Sequence, residues 1–233
     1  MSPRTAKSYL YEGLVIVASI LVAFALDASW ATYQESKVEQ KVLRELQAEL
    51  ESAKARVEFS IVELEGVIEA SSDLVNSLGK DTSILSHTAA QDLVNRIRAI
   101  NTLEVPTSVI DSIVASGQVR LISNSELRAA LAEWPALIAD VRENHEWHRV
   151  ETDEFLVPYL AGYVSIRDGS IRAGNTTFEP GSFVYDLAPM QRDPVFEGRL
   201  VNRIGRQQAT LDESQILLDG TENLLALIAL EIG

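Results

Sequence analysis

Hydrophobic and polar positions alternate with three different textures along this chain. Between Glu12 and Asp27 the sequence reads GLVIVASILVAFAL, fourteen residues with nothing more polar than Ser19. Alone, that run is shorter than the ~20 residues a bilayer core requires. Tyr9 and Tyr11 on one side, with Trp30 and Tyr33 on the other, supply aromatic belts of the kind found at the two interfaces and bring the segment to spanning length. The pattern predicts a tail over 1–8 and a transmembrane helix over 9–33. A cleavable signal peptide competes with this reading, taking Arg4 and Lys7 as its basic region and Ala23-Phe-Ala25 as its processing site. Glu12 at the start of the apolar run and Asp27 close behind it oppose that alternative.

From Ser36 to Leu78 the texture becomes helical. Leu43, Leu46, Leu50, Ala53, Val57, Leu64, Val67, Leu74 and Leu78 recur at three- and four-residue spacings, with Ser60 and Ser71 at the remaining seam positions. No proline interrupts them, so one helix ~65 Å long is expected, continuous with the span. Ile61, Ile68 and Val75 widen its stripe, which calls for several packing partners rather than one coiled-coil strand. Gly79 and the residues to Ser83 read as a C-cap and turn. Shorter helices are expected from Thr88 to Ile100 and from Pro106 or Thr107 to Gly117. Ser123 and Glu126 have capping-box spacing for a third, which carries Leu127, Leu131, Trp134, Leu137, Ile138 and Val141 and is kinked at Pro135.

The third texture begins beyond Tyr159. Val164 to Arg167 and Ser170 to Arg172, around Asp168-Gly169, predict a small β-hairpin, and Asn175 to Met190 reads as loop. Asp193-Pro194 then starts a last helix ~57 Å long, with Phe196, Leu200, Ile204, Leu211, Leu218, Leu225, Ile228 and Ile232 at helical spacings. Its length suits an antiparallel return toward the membrane. The expected fold is mainly α: an N-terminal transmembrane helix, then an elongated extracytoplasmic helical bundle over 34–233, with hairpin and loops about 163–192.

On a helix wheel Glu12, Ile16, Ser19, Ala23, Asp27 and Trp30 share one stripe of the span. Small and ionisable residues in a membrane mark where another helix or water approaches, which makes this stripe the candidate interaction site. The two acids also lie near enough to the interfaces to stay hydrated as simple flanking groups. Loss of function in Asp27→Asn with retention in Asp27→Glu would identify Asp27 as a proton carrier.

The segment SGQVRLISNSELRAALAEW, Ser116 to Trp134, following a span of the type EG...ILVAFALDASW, Glu12 to Trp30, resembles an uncharacterised family of bacterial single-pass membrane proteins. The resemblance covers about the first 160 residues and implies an inner-membrane architecture without an assigned activity. Arg4 and Lys7 before the span, and acidic sequence after it, place the N-terminus in the cytoplasm and the bulk of the chain in the periplasm.

A net charge of −14 argues against nucleic-acid binding. With no cysteine, the chain has neither disulfides nor thiolate metal ligands, and packing alone must hold it. His145, His148 and Glu151 follow at i, i+3 and i+6 and are the weak candidates for a metal face, although neither the zinc-protease nor the di-iron bundle spacing is met. No serine elbow, phosphate loop or cysteine nucleophile is present, so no catalytic residue and no cofactor is assigned. The expected function is that of a non-enzymatic scaffold or accessory subunit, homo-oligomeric and acting through helix–helix contacts, with the bilayer and itself or another membrane protein as partners. The alternative is a subunit of an ion-coupled complex that uses Glu12 or Asp27 as a proton-carrying carboxylate.

Overall fold

The computed structural model describes residues 6–80, 85–99 and 102–232, with side chains from Tyr11 onward. Arg4, the turn residues Asp81 to Ser83, and Ile100 therefore lie outside the described residues. Helix α1 runs unbroken from Ala6 to Ser77, 72 residues, or ~108 Å at 1.5 Å per residue. All eleven predicted seam positions from Leu43 to Leu78, including Ser60 and Ser71, are buried, and Gly79 (φ 68°) closes the helix. The Gly79 amide donates to Gln191 O at 2.8 Å, tying the top of α1 to the approach of the last helix.

Helix α2 spans His87–Ile97, its N-terminal Ala89 amide donating to Ser86 Oγ at 3.1 Å. Helix α3 spans Ser108–Ser116 and ends on the left-handed Gly117. Its first turn is capped from α1. The buried carboxylate of Glu49 accepts from Ser108 Oγ, Val109 N and Ile110 N at 3.0, 2.7 and 3.0 Å, placing negative charge where a helix presents unpaired amides.

Helix α4 extends from Ser125 to Glu151, through Pro135, and begins on Asn124 rather than Ser123. Asn124 Oδ1 accepts from Glu126 N and Leu127 N. Ser123 serves a different contact, donating its amide and hydroxyl to Glu39 Oε1, both at 2.6 Å. After Glu151 a wider π turn, Thr152–Leu156, leads into the short α5, Val157–Leu160, where Pro158 deprives the ladder of a donor.

The expected hairpin is not formed: Ile166–Arg172 is a short helix, α6, and no strand occurs among the described residues. Two interactions, one local and one distant in sequence, overrule the Asp-Gly turn reading. Ser165 Oγ caps the Asp168 amide at 3.1 Å. Gly169 keeps a negative φ and is needed for proximity, because a Cβ there would stand 2.8 Å from Asn95 Oδ1 while Asn95 Nδ2 donates to Gly169 O. Helix α7 is Ala188–Gln191, and α8 runs from Pro194 to Glu231 behind an Asp193 cap that accepts from Val195 N and Phe196 N.

Helix α8 returns antiparallel to α1, with α4 beside both. Near the lower end Gln40 Nε2 donates to Glu231 O at 2.7 Å, and midway Lys54 pairs with Glu222. Two apolar cores result. The lower one holds Leu43, Leu50, Trp134, Ile138, Leu217 and Leu224, and the upper one Leu74, Ile97, Leu160, Met190, Phe196 and Leu200. Between them the helices face each other through polar side chains.

Candidate functional site

The first candidate is the lower part of α1. Residues 11–38 are exposed throughout, and Glu12, Ile16, Ser19, Ala23, Asp27 and Trp30 all lie on this uncovered stretch. Three of its hydroxyls are satisfied within the helix: Ser19 Oγ donates to Val15 O, Ser29 Oγ to Ala25 O and Thr32 Oγ1 to Ala28 O, at 2.8, 2.7 and 3.0 Å. A hydrocarbon environment demands that of every polar group. Lys37 Nζ sits 4.5 Å from the Tyr33 ring centre. Directly above, Glu39–Ser123, Gln40–Glu231 and Asn124–Glu231 contacts fasten the helices together. Among the described residues α1 is the one helix long and apolar enough, by length and composition, to cross a membrane.

The second candidate is the polar layer. Arg203, 2 % exposed, is in ionic contact with Glu151 and donates from Nη2 to Ile97 O at 3.2 Å. His148 Nε2 lies 2.9 Å from Thr210 Oγ1, whose own proton goes to Arg206 O. The imidazole therefore carries its hydrogen on Nε2 and leaves Nδ1 as an acceptor. His145 Nε2 stands 3.4 Å from Ser60 Oγ. His148 Nδ1, Arg203 Nε, Thr152 Oγ1 and Gln207 Oε1 are buried without a hydrogen-bond partner among the described residues. A cavity of about 30 Å3, lined by Ser60, Glu63, His145, His148, Arg203 and Gln207 among others, adjoins them. That is room for one or two water molecules able to join donor to acceptors.

Compared with family models, with curated proteins and with solved structures, the chain finds no match.

The layer brings His145 and His148 to one cavity but turns Glu151 away to Arg203. Among the described residues no three histidine, aspartate or glutamate side chains gather as a metal site. The histidines extend the packed seam of α4, continuing Trp134, Ile138 and Val141 at the same spacing. The polar groups missed from the sequence are Arg203, Gln207, Thr210, Ser214 and Thr221 on α8. Phe196, Leu200, Arg203, Gln207, Thr210, Ser214, Leu217 and Thr221 form the buried seam, while Leu211, Leu218 and Leu225 lie half-buried beside it. The regular three-four spacing of the polar residues between Leu200 and Leu217 is the signal that finds them.

Burial, the nearby Arg203 charge, His145 and Arg206 together hold His148 down at about 4. Burial likewise lowers Arg203 to about 10, still a cation at neutral pH. A histidine neutral when folded but ordinary when unfolded binds fewer protons in the native state, so its contribution to stability is intact above pH 6.5 and is lost as pH falls toward 4. We expect His148→Gln, which keeps a donor for Thr210, to remove ~2 kcal/mol of the acid-induced loss, a figure discounted because the imidazole lines a cavity. Urea unfolding of both proteins at pH 7 and pH 4.5 measures this. Equal losses in the two would disprove it.

Proposed function

We propose that the chain is a single-pass membrane protein whose helical bundle stands outside the cytoplasm, and that it acts as a non-enzymatic scaffold or accessory subunit through contacts of α1, in the first place with copies of itself. One observation carries the reading: the apolar half of α1 is bare from residue 11 to 38, while the rest of the same helix is the spine of a well-filled core. An apolar surface of that length is stable only when lipid or another protein covers it. The aromatic pair Trp30–Tyr33, ring centres 5.9 Å apart, suits the outer interface, and the resemblance of Glu12–Trp30 to bacterial single-pass proteins supports the inner membrane.

Alkaline washing of membranes from expressing cells tests the anchor. The full chain should stay with the pellet. Val17→Arg combined with Leu21→Arg places two charges mid-span, each costing about 2.5–3.5 kcal/mol, and should shift most of the protein to the supernatant. Wild-type protein that washes off, or a double variant that stays, would sink the proposal.

A further inference from the structure

Helix α1 has a second uncovered face, within the bundle. Ala48, Ser52, Ala55, Phe59 and Val62 are exposed, Phe59 by 61 % and Val62 by 63 %, and Gly66 is half-buried. They follow one another at spacings of four and three, so they form one stripe ~27 Å long, and none is charged. Thr102, Leu103 and Glu104 stand along one side of it, across a groove of about 440 Å3. The stripe continues the one in the apolar segment. A separation of 36 residues is about ten turns, which puts Ala48 above Glu12, Ser52 above Ile16, Ala55 above Ser19, Phe59 above Ala23 and Gly66 above Trp30. Between the two stretches the face carries Lys37 and Lys41, the latter 3.7 Å from Glu45.

We infer that this face docks on the same face of a second copy of the chain, with the two α1 helices parallel and in register. The inference rests on the membrane placement proposed above, because copies anchored in one bilayer present α1 in the same direction. Ala48, Ser52 and Ala55 let the two backbones approach closely, and Phe59 and Val62 supply the apolar contact. One pair of flanking charges is complementary in this arrangement. Glu51 precedes the stripe on one side and Arg56 follows it on the other; both are exposed. In a parallel pair, a residue just before the seam faces the residue five positions later on the other helix, so Glu51 of each copy meets Arg56 of the other, twice by symmetry. The next such pair, Glu58 with Glu63, is like-charged and opposes this register, so the favourable charge contact that specifies it is Glu51–Arg56. An antiparallel pair would lose this match.

The chain has no cysteine, so single cysteines report proximity directly. Ala48→Cys, Ala55→Cys and Val62→Cys on the stripe, Glu65→Cys on its flank, one residue before Gly66, and Ser19→Cys and Ala23→Cys in the span are oxidised in intact membranes and separated without reductant. Disulfide-linked dimer at the three stripe positions, several-fold above Glu65→Cys, is expected. Adding Glu51→Arg to Ala55→Cys should cut the yield several-fold, and adding Arg56→Glu as well should restore it. Dimer through the span but not through the stripe would overturn the inference and leave the self-associating anchor standing. Dimer at neither would overturn both. Equal yields at Glu65 and on the stripe, failure of the charge exchange, or a mixed adduct with another protein in place of the dimer would each reject a second copy in this register.

Discussion

Glu151→Gln is expected to destabilise the bundle by about 3 kcal/mol, the low end of the cost of breaking a buried ion pair. The charge left behind is Arg203, 2 % exposed, with Nε already lacking a partner among the described residues. Glu151 keeps some contact with solvent, its side chain 17 % exposed, which argues for the low end. The pair need not be net stabilising, since desolvation offsets most of its attraction. Glu151→Leu with Arg203→Met should therefore recover most of the loss, and a chemical-denaturation cycle of the wild type, two single variants and the double variant measures the coupling. Single and double variants of equal stability would show that the pair is not sealed from water. The exposed pair Arg149–Glu146 is the control, and Glu146→Gln should leave the midpoint unmoved.

Trp134→Ala should cost about 3–5 kcal/mol, because it empties the largest fully buried side chain of the lower core. Trp134 is held at both ends: its ring packs among the leucines of α1, α4 and α8, and Nε1 donates to Thr221 Oγ1 at 2.9 Å. Thr221 spends its own proton on Leu217 O, so it remains satisfied when the indole is gone. The penalty is then chiefly cavity and lost contact area. Trp134→Phe retains most of the volume and should lose less than half as much. In a domain of this size the alanine variant corresponds to a fall in melting temperature of roughly 10 °C. Calorimetry on detergent-solubilised protein checks it, and a shift of only a degree or two would mean that the lower core closes around the gap.

Much of this architecture was legible because α1 repeats its apolar spacing without interruption. Leu43, Leu46, Leu50, Ala53 and Val57 predict their own burial, and the matching length of the segment after Asp193 announces an antiparallel return. Polar residues at core positions hide the rest of the pattern. On α8 apolar periodicity points to Leu211, Leu218 and Leu225, whereas the buried seam passes beside them through Arg203, Gln207, Thr210 and Ser214. His145 and His148, weak candidates for a metal face, have a spacing that equally continues the Trp134 seam. The hairpin error has another origin. Asp168-Gly169 is a strong local turn signal, and the contact that decides it is Asn95, 74 residues away on α2. Short-range chemistry cannot reveal a glycine required by a distant neighbour.

Helix α1 has a mechanical consequence. From Ser36 to Ser77 it contains no proline, and its one glycine, Gly66, sits inside regular helix. Nothing between the apolar segment and the bundle is built to bend. On the proposed placement the bundle is the long arm of a lever whose fulcrum is the outer membrane surface. The arm from Gln34 to Ser77 measures ~66 Å, so a 10° change in helix tilt, well inside the range transmembrane helices adopt, would sweep its tip through about 11 Å. On that placement, a thickness change or a neighbour that tips the short buried arm would be displayed, amplified, far above the lipid.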